Sequence, residues 1–174
     1  LIDNLLELSR VTRNNQPFEQ MDLNKLIKNT IADLELTIDE TGAEIHSATL
    51  PVIDAIPSQL RQMFNNLLAN ALKFRRPDVR PVISITAVKI DRATKEENFL
   101  AVEKNYYRIN ITDNGIGFDQ EYEQRIFQIF QRLHGKSAYP GSGIGLAICK
   151  RIAERHHGLI HAKGEEGKGA VFSV

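Results

Sequence analysis

The sequence predicts one mixed α and β domain that is not doubly wound. Two segments, VISITAVKI and YYRINIT, alternate apolar and polar residues as half-buried strands do. Others, FNNLLANALKF and IGLAICKRIAERHHG among them, repeat apolar residues at helical spacing. The two kinds of segment follow one another without the steady alternation of a doubly wound fold. A chain of 174 residues with 42% hydrophobic and 25% charged residues suits an ordinary domain with a real core.

From the start, LIDNLLELSRVTR sets Leu1, Leu5, Leu8 and Thr12 on one stripe, an amphipathic helix without an N-cap residue. It reads as the end of a helix that begins upstream, and NNQPF breaks it. FEQMD is short and strand-like. Asp22 then caps one long helix, LNKLIKNTIADLELTIDETG, which Gly42 ends. AEIHSA and PVIDAI read as strands, and Pro57 and Ser58 start a helix that is over by Pro77. Between the two alternating strands, DRATKEENFLAVEKN reads as a solvated hairpin extension. DQEYEQRIFQIFQRL reads as helix, HGKSAYPGSG as loop, IGLAICKRIAERHHG as helix, and LIHAKGEEGKGAVFSV as two strands around a glycine-rich turn.

Lys plus Arg equals Asp plus Glu, which argues against general attraction to nucleic acid or membrane. The basic run Arg75, Arg76 and Arg80 reads as surface. The single cysteine, Cys149, excludes an internal disulfide and fits a reducing compartment; beside Ile148, Ile152 and Ala153 it reads as packing. No apolar run reaches the roughly 18 residues of a membrane span and no signal peptide opens the chain, so a cytoplasmic location is expected. His156, His157 and His161 are close in sequence but lack the companions of a zinc motif.

Three groups of residues carry chemistry. On an ideal helix Gln59, Asn66, Asn70 and Lys73 fall within a narrow arc beside an apolar face of Leu60, Met63, Phe64, Leu67 and Ala71. Either the arc is a solvated stripe, or Asn66, Asn70 and Lys73 present amide oxygens and a cation at a cleft rim, where an amide oxygen can ligate Mg²⁺. Asn65 lies off the arc and reads as surface. DNGIG, from Asp113 to Gly117, is either a tight turn or a loop in which Asp113 accepts from an exocyclic amine. The helical pattern after it weakens the hairpin reading. PGSGIGL puts Gly141, Gly143 and Gly145 at a helix mouth, where free N–H groups favour an anion; flexible-loop glycine is the alternative. GKS at Gly135 to Ser137 imitates a Walker ending, but the required earlier glycine is Phe130.

Taken in order, these motifs resemble the catalytic, ATP-binding domain of sensor histidine kinases, in the superfamily shared with DNA gyrase B, MutL and a heat-shock chaperone. QLRQMFNNLLANALKF resembles the N box, DNGIGF the G1 box, RIFQIFQRL the F box, GSGIGL the G2 box and GEEGKGAVF the final glycine-rich turn. NALKFRRPDVRP and FQRLHGKSAYPGSGIGLAICKRIAERH are most similar to the phytochrome-like branch. The resemblance implies a Bergerat-type α/β sandwich, a mixed sheet of about five strands covered by helices, with ATP between the helices and a mobile lid.

It further implies that Asn70 holds Mg²⁺, Lys73 meets phosphate, and Asp113 receives the adenine amine, with Gly115 and Gly117 opening space and Ile116 beside them. Gly141, Gly143 and Gly145, with Ser142, Ile144 and Leu146, would line the triphosphate; Phe127 and Phe130 would anchor a lid over residues 131–142, and Arg132 would reach the terminal phosphate. Asn66 stands where ATP-hydrolysing relatives carry a glutamate base, and an amide has no such basicity, which favours a kinase over an ATPase. None of His46, His134, His156, His157 or His161 has the setting of the family's phosphoacceptor. Residues 1–15 are therefore expected to end a dimerisation helix and residues 16–174 to be a catalytic domain lacking its acceptor. The implied partners are that dimerisation domain and a response regulator, in a two-component phosphorelay. The full-length protein would be a homodimer and this chain a monomer. A hydrolysing ATPase or a non-catalytic relative is the alternative. Two departures stand out: Ala170 and Val171 replace the usual Ser or Thr, and His157 replaces the first glycine of a Gly-Gly pair.

Overall fold

The computed structural model describes residues 16–133, 139 and 141–174. The expected N-terminal helix, the boundary after residue 15, and positions 134–138 and 140 of the glycine-rich loop lie outside the described residues. The chain opens with β1 (Glu19–Asp22), α1 (Leu23–Asp33), α2 (Glu35–Thr41), β2 (Glu44–Ser47), β3 (Val52–Ala55) and α3 (Pro57–Lys73). There follow β4 (Val82–Lys89), α4 (Arg92–Glu97), β5 (Tyr107–Asp113), a 3₁₀ turn (Gln120–Tyr122), α5 (Glu123–Ile126), α6 (Gly145–Arg155), β6 (His161–Glu165) and β7 (Gly169–Ser173).

Five strands form a mixed sheet in the order β2-β4-β5-β7-β6, parallel at β2–β4 and antiparallel elsewhere; β1 and β3 pair as a separate ribbon. The sheet matches the expected two-layer architecture. Register explains its inner face. Ile85, Ile111, Phe172 and Ala162 stand opposite one another across four strands, and all are buried. The next row in the same phase is Ile83, Asp113, Ala170 and Gly164. Because side chains alternate with period two, Asp113 shares the core face with Ile109 and Ile111.

Against that face lie α1, α3 and α6, whose Leu23, Ile27, Phe64, Leu68, Ile148 and Ile152 join one core. Every residue of the expected apolar face of α3 is buried, whereas Asn65 is exposed. Pro57 occupies the first turn of α3, where its missing N–H costs nothing. Gln120 covers the edge of β6, its amide accepting from Gly164 N–H at 3.1 Å and donating to the Ala162 carbonyl at 3.1 Å. This side chain stands in for a further strand.

Three local expectations change. The first long helix breaks at Leu34 into α1 and α2, although Gly42 ends α2 in the left-handed conformation as expected. Thr30, four residues before the break, donates its hydroxyl to the Leu26 carbonyl at 2.9 Å, a contact that bends helices. The β4–β5 connection carries α4 instead of being wholly solvated. Asp91 caps α4, and buried Lys95 donates to the carbonyls of Val102 and Lys104 at 3.2 and 2.6 Å. Last, the helix expected to reach Leu133 stops at Ile126. Phe130 turns left-handed, φ 63°, and its N–H donates to the Gly143 carbonyl at 3.0 Å. That bond draws the chain onto the glycine loop and out of helical register.

Candidate functional site

A cavity of about 280 Å³ opens between α3, the end of β5 and the mouth of α6. From α3 come Asn66, Asn70 and Lys73, one turn apart on the same flank. β5 contributes Asp113, and the loop after it contributes Ile116 and Gly117. Phe118 and Phe172 form an apolar wall, ring centres 6.4 Å apart, with Ala170 beside them. Opposite stand Arg132, Tyr139, Gly141 and Gly143, leading into Gly145 and Leu146 of α6. Ile144, the N-cap of this 11-residue helix, makes no side-chain capping bond, which suits a helix mouth that receives an anion.

The charges are segregated. Asp113 sits at the apolar end, where burial pushes its carboxyl above the usual range; the N–H groups of Gly115 and Ala170 facing it oppose that shift. Gly115 N–H donates to Asp113 Oδ1 at 2.8 Å. At the other end burial lowers Lys73, and the neighbouring Arg132 lowers it further. The Lys73 ammonium lies 4.6 Å from the Phe74 ring centre, and Tyr139 packs on the same ring at 5.0 Å. The arrangement is a flat apolar slot with one acceptor, continued by a cationic, N–H-rich mouth. It suits a planar heterocycle bearing an amine and, beyond it, a polyanion.

The family described as histidine kinase-, DNA gyrase B-, and HSP90-like ATPase matches residues 55–174. The chain belongs to this ATPase family. Cyanobacterial phytochrome A from a Nostoc species is 40% identical over 172 residues, 99% of this chain and 21% of that protein. Phytochrome-like protein Cph1 from a Synechocystis species is 37% identical with the same coverage. The chain thus spans about a fifth of the length of these curated relatives. Among solved structures, full-length ShkA in complex with AMPPNP superposes with a TM-score of 0.78 at 26% identity, covering 99% of this chain and 34% of that one. The catalytic domain of the histidine kinase ThkA shares the fold, with a TM-score of 0.69 at 22% identity, covering 90% of this chain and 92% of that one.

As a member of this ATPase family the chain gathers most of its sequence-predicted residues into one cleft. Asn66, Asn70, Lys73, Asp113, Ile116 and Gly117 line it. So do Arg132, Gly141, Ser142, Gly143, Gly145 and Leu146. Gly115 and Ile144 do not. Ile144 is buried in the core, and its carbonyl accepts from Ile148 N–H. A Cβ on Gly115 would lie 2.4 Å from the Phe74 carbonyl oxygen, and one on Gly117, at φ +65°, 2.0 Å from that of Glu165. At both positions a side chain would meet backbone, so glycine is required there whatever the cleft holds.

Other expectations divide. Gln59 is buried away from the cleft, despite sharing the asparagine arc on a helical projection. Of the two phenylalanines expected to anchor a lid, Phe127 is buried and Phe130 is 42% exposed. Arg132 donates to the Gly141 carbonyl at 2.9 Å and to the Tyr139 carbonyl, so in this conformation it is tied to the backbone of the glycine loop. Asn66 donates to the Gly145 carbonyl at 3.3 Å, bracing the helix mouth. Of the two residues in the first departure, Ala170 lines the cleft and Val171 does not. His157 takes the left-handed position, φ 56°, and Gly158 N–H closes the cap on Ala153 at 2.9 Å. Sequence reasoning did not single out Phe74 or Tyr139 as cleft residues; Phe74 directly follows Lys73, which is the one signal available.

Burial pushes the Cys149 thiol up to about 12, so the packing reading holds for it. Among the described residues no group of three His, Cys, Asp or Glu could hold a metal ion, and no helix is long and apolar enough to cross a membrane.

Proposed function

We propose that the chain is the cytoplasmic, ATP-binding catalytic domain of a sensor histidine kinase, passing the γ-phosphoryl group of Mg²⁺-ATP to a histidine on a dimerisation domain of the same protein and onward to a response regulator. The observation that carries this reading is the meeting of Asp113, Asn70 and Lys73 with the glycine mouth of α6 in one cleft. Asp113 offers the acceptor for an adenine amine, in an apolar slot walled by Phe118 and Phe172. Lys73 and the open N–H groups of α6 offer the charge that a triphosphate needs. The structure of ShkA with AMPPNP, which covers 99% of this chain, supports the same ligand class.

The donor set also fits magnesium. A small, hard cation keeps most of its water and takes a few oxygens from protein and phosphate. Asn70 supplies a neutral amide oxygen beside Lys73, which is enough for a metal held mainly by the nucleotide. A metal held by Asn70 and the nucleotide would supply neutralisation of charge on the phosphoryl oxygens. Asn66, which lies nearest the helix mouth, has no basicity to activate water, so the cleft protects the phosphoryl group until an imidazole arrives.

The test pairs this chain with a separately produced histidine-bearing dimerisation domain. Labelled phosphate from Mg²⁺-ATP should appear on the added histidine, with little released to water. Rapid phosphate release without transfer would show a hydrolase. No heat on titration with Mg²⁺-ATP would remove nucleotide binding altogether.

A further inference from the structure

A closed circuit of hydrogen bonds surrounds the acid end of the cleft. Asp113 ends β5, and the loop behind it is held on three sides. Ile116 N–H donates to the Phe74 carbonyl at 2.9 Å, joining the loop to the end of α3. The Ile116 carbonyl accepts from Gly167 N–H at 2.7 Å, joining it to the turn between β6 and β7. Asn114 ties it to the start of β4: its amide accepts from Val82 N–H and donates to the Arg80 carbonyl, each at 2.9 Å.

Arg76 spans the gap that remains. Its Nε donates to the Asn114 carbonyl at 2.9 Å, and its Nη1 to the Gly167 carbonyl at 2.7 Å. The side chain leaves the main chain two residues after Phe74, so one guanidinium links the end of α3, the loop after Asp113 and the β6–β7 turn. A rigid fork with two divergent donors can hold two carbonyls at a fixed separation, which a lysine ammonium does less well. Gly167 is thus held at both ends, its N–H by the Ile116 carbonyl and its carbonyl by Arg76.

We infer that Arg76 is a positioning residue for base recognition, fixing the Asp113 loop against the β6–β7 turn so that the carboxylate meets the adenine edge. The inference rests on the nucleotide reading of the cleft. Arg76 does not line the cleft, so its effect passes through the loop backbone. Nor does it touch Asn70, Lys73 or the glycine mouth. Loss of the guanidinium therefore loosens the base end and leaves the phosphate end as it was. The two carbonyls it releases can turn to water, since Arg76 is only half-buried.

The experiment is calorimetric titration of the wild-type chain, Arg76→Ala and Arg76→Lys with three ligands: Mg²⁺-ATP, adenosine, and Mg²⁺-tripolyphosphate. The expected result is a weakening of about 10-fold for ATP and adenosine in Arg76→Ala, the scale of one charge-assisted hydrogen bond, with tripolyphosphate unchanged. Arg76→Lys, which keeps the charge but not the fork, should fall between the two. A purely structural role would lower affinity for all three ligands alike, together with the melting temperature, and would overturn the inference. So would wild-type affinity for adenosine in Arg76→Ala. A wild-type chain that binds none of the ligands would instead remove the nucleotide reading, and this inference with it.

Discussion

Replacing Asp113 by asparagine should weaken nucleotide binding and stabilise the nucleotide-free protein. The carboxylate stands in the row Ile83, Asp113, Ala170 and Gly164 on the core face of the sheet. Burial raises its pKa above the ordinary carboxyl value of 3.8. The sign follows from proton counting. Through the interval from 3.8 up to the raised value, the native state binds more protons than the unfolded state, so stability falls as pH rises across it. Above that interval the folded protein carries an unfavourable buried charge. Asparagine keeps an oxygen for Gly115 N–H, which now donates to Oδ1 at 2.8 Å, and removes the charge, leaving one acceptor fewer for the Ala170 N–H that also faces the carboxyl. With the amide oxygen held there, its NH₂ takes the place of the second carboxylate oxygen and opposes an adenine amine, donor against donor.

A hydrogen bond to a charged acceptor contributes about 1.5–3 kcal/mol, which corresponds to about 10- to 150-fold in dissociation constant. Titration of Mg²⁺-ATP into Asp113→Asn should show a loss in that range, and Asp113→Ala should abolish binding. Thermal unfolding without nucleotide, followed from acid to neutral pH, should show the asparagine variant gaining on the wild type as pH rises and exceeding it at neutrality. Unchanged ATP affinity, or an asparagine variant less stable than wild type at neutral pH, would refute the assignment of Asp113 as a buried adenine acceptor.

Other perturbations separate the remaining parts of the molecule. Asn70→Ala should leave adenosine affinity unchanged while removing the magnesium dependence of ATP binding, read by titrations with and without the metal. Phe64→Ala, at a side chain 1% exposed in the centre of α3, should cost about 3–5 kcal/mol of stability in denaturant unfolding. His156 accepts from Ile56 N–H at 3.0 Å through Nε2, which leaves its proton on Nδ1 facing the Ile152 carbonyl at 2.8 Å. Burial lowers its pKa below 6.5, so the unfolded state binds the proton first and stability should fall as pH drops from 6.5 toward the folded value. His156→Gln should lack that fall when its unfolding is compared with wild type across the same range.

Strand and helix periodicity revealed most of the fold, because the core is built from one-sided elements. Ile83 and Ile85, or Ile109 and Ile111, mark their face by alternation alone. The same alternation carries on to Asp113, so an acid at an inward position was already readable in RINITD. In one of the places where the sequence misled, a bond distant in the chain overrides local preference. The helix after Asp119 has good helical spacing as far as Leu133, yet Phe130 N–H leaves it for the carbonyl of Gly143, 13 positions away in the chain. The break at Leu34 has no glycine or proline to announce it, only a threonine one turn earlier.

The candidate site was legible in proportion to how local its parts are. Asn66, Asn70 and Lys73 share one helix flank, and the glycines share one helix mouth, so spacing was enough to group each set. Spacing could not say what the glycines do. Gly117 borders the cleft, but what forbids a side chain there is the Glu165 carbonyl, 48 residues later in the chain. Arg76 is the extreme case. Among Arg75 and Arg80 it reads as ordinary surface charge, and Arg80 does bond outward, to the Gly42 carbonyl and Glu44. Arg76 instead turns inward to carbonyls 38 and 91 positions away, contacts that exist only after β5 and the β6–β7 turn have met the end of α3. A residue whose partners are backbone atoms leaves no residue-type signature at the partner positions. Such positioning groups are therefore visible in the folded arrangement and silent in the string of letters.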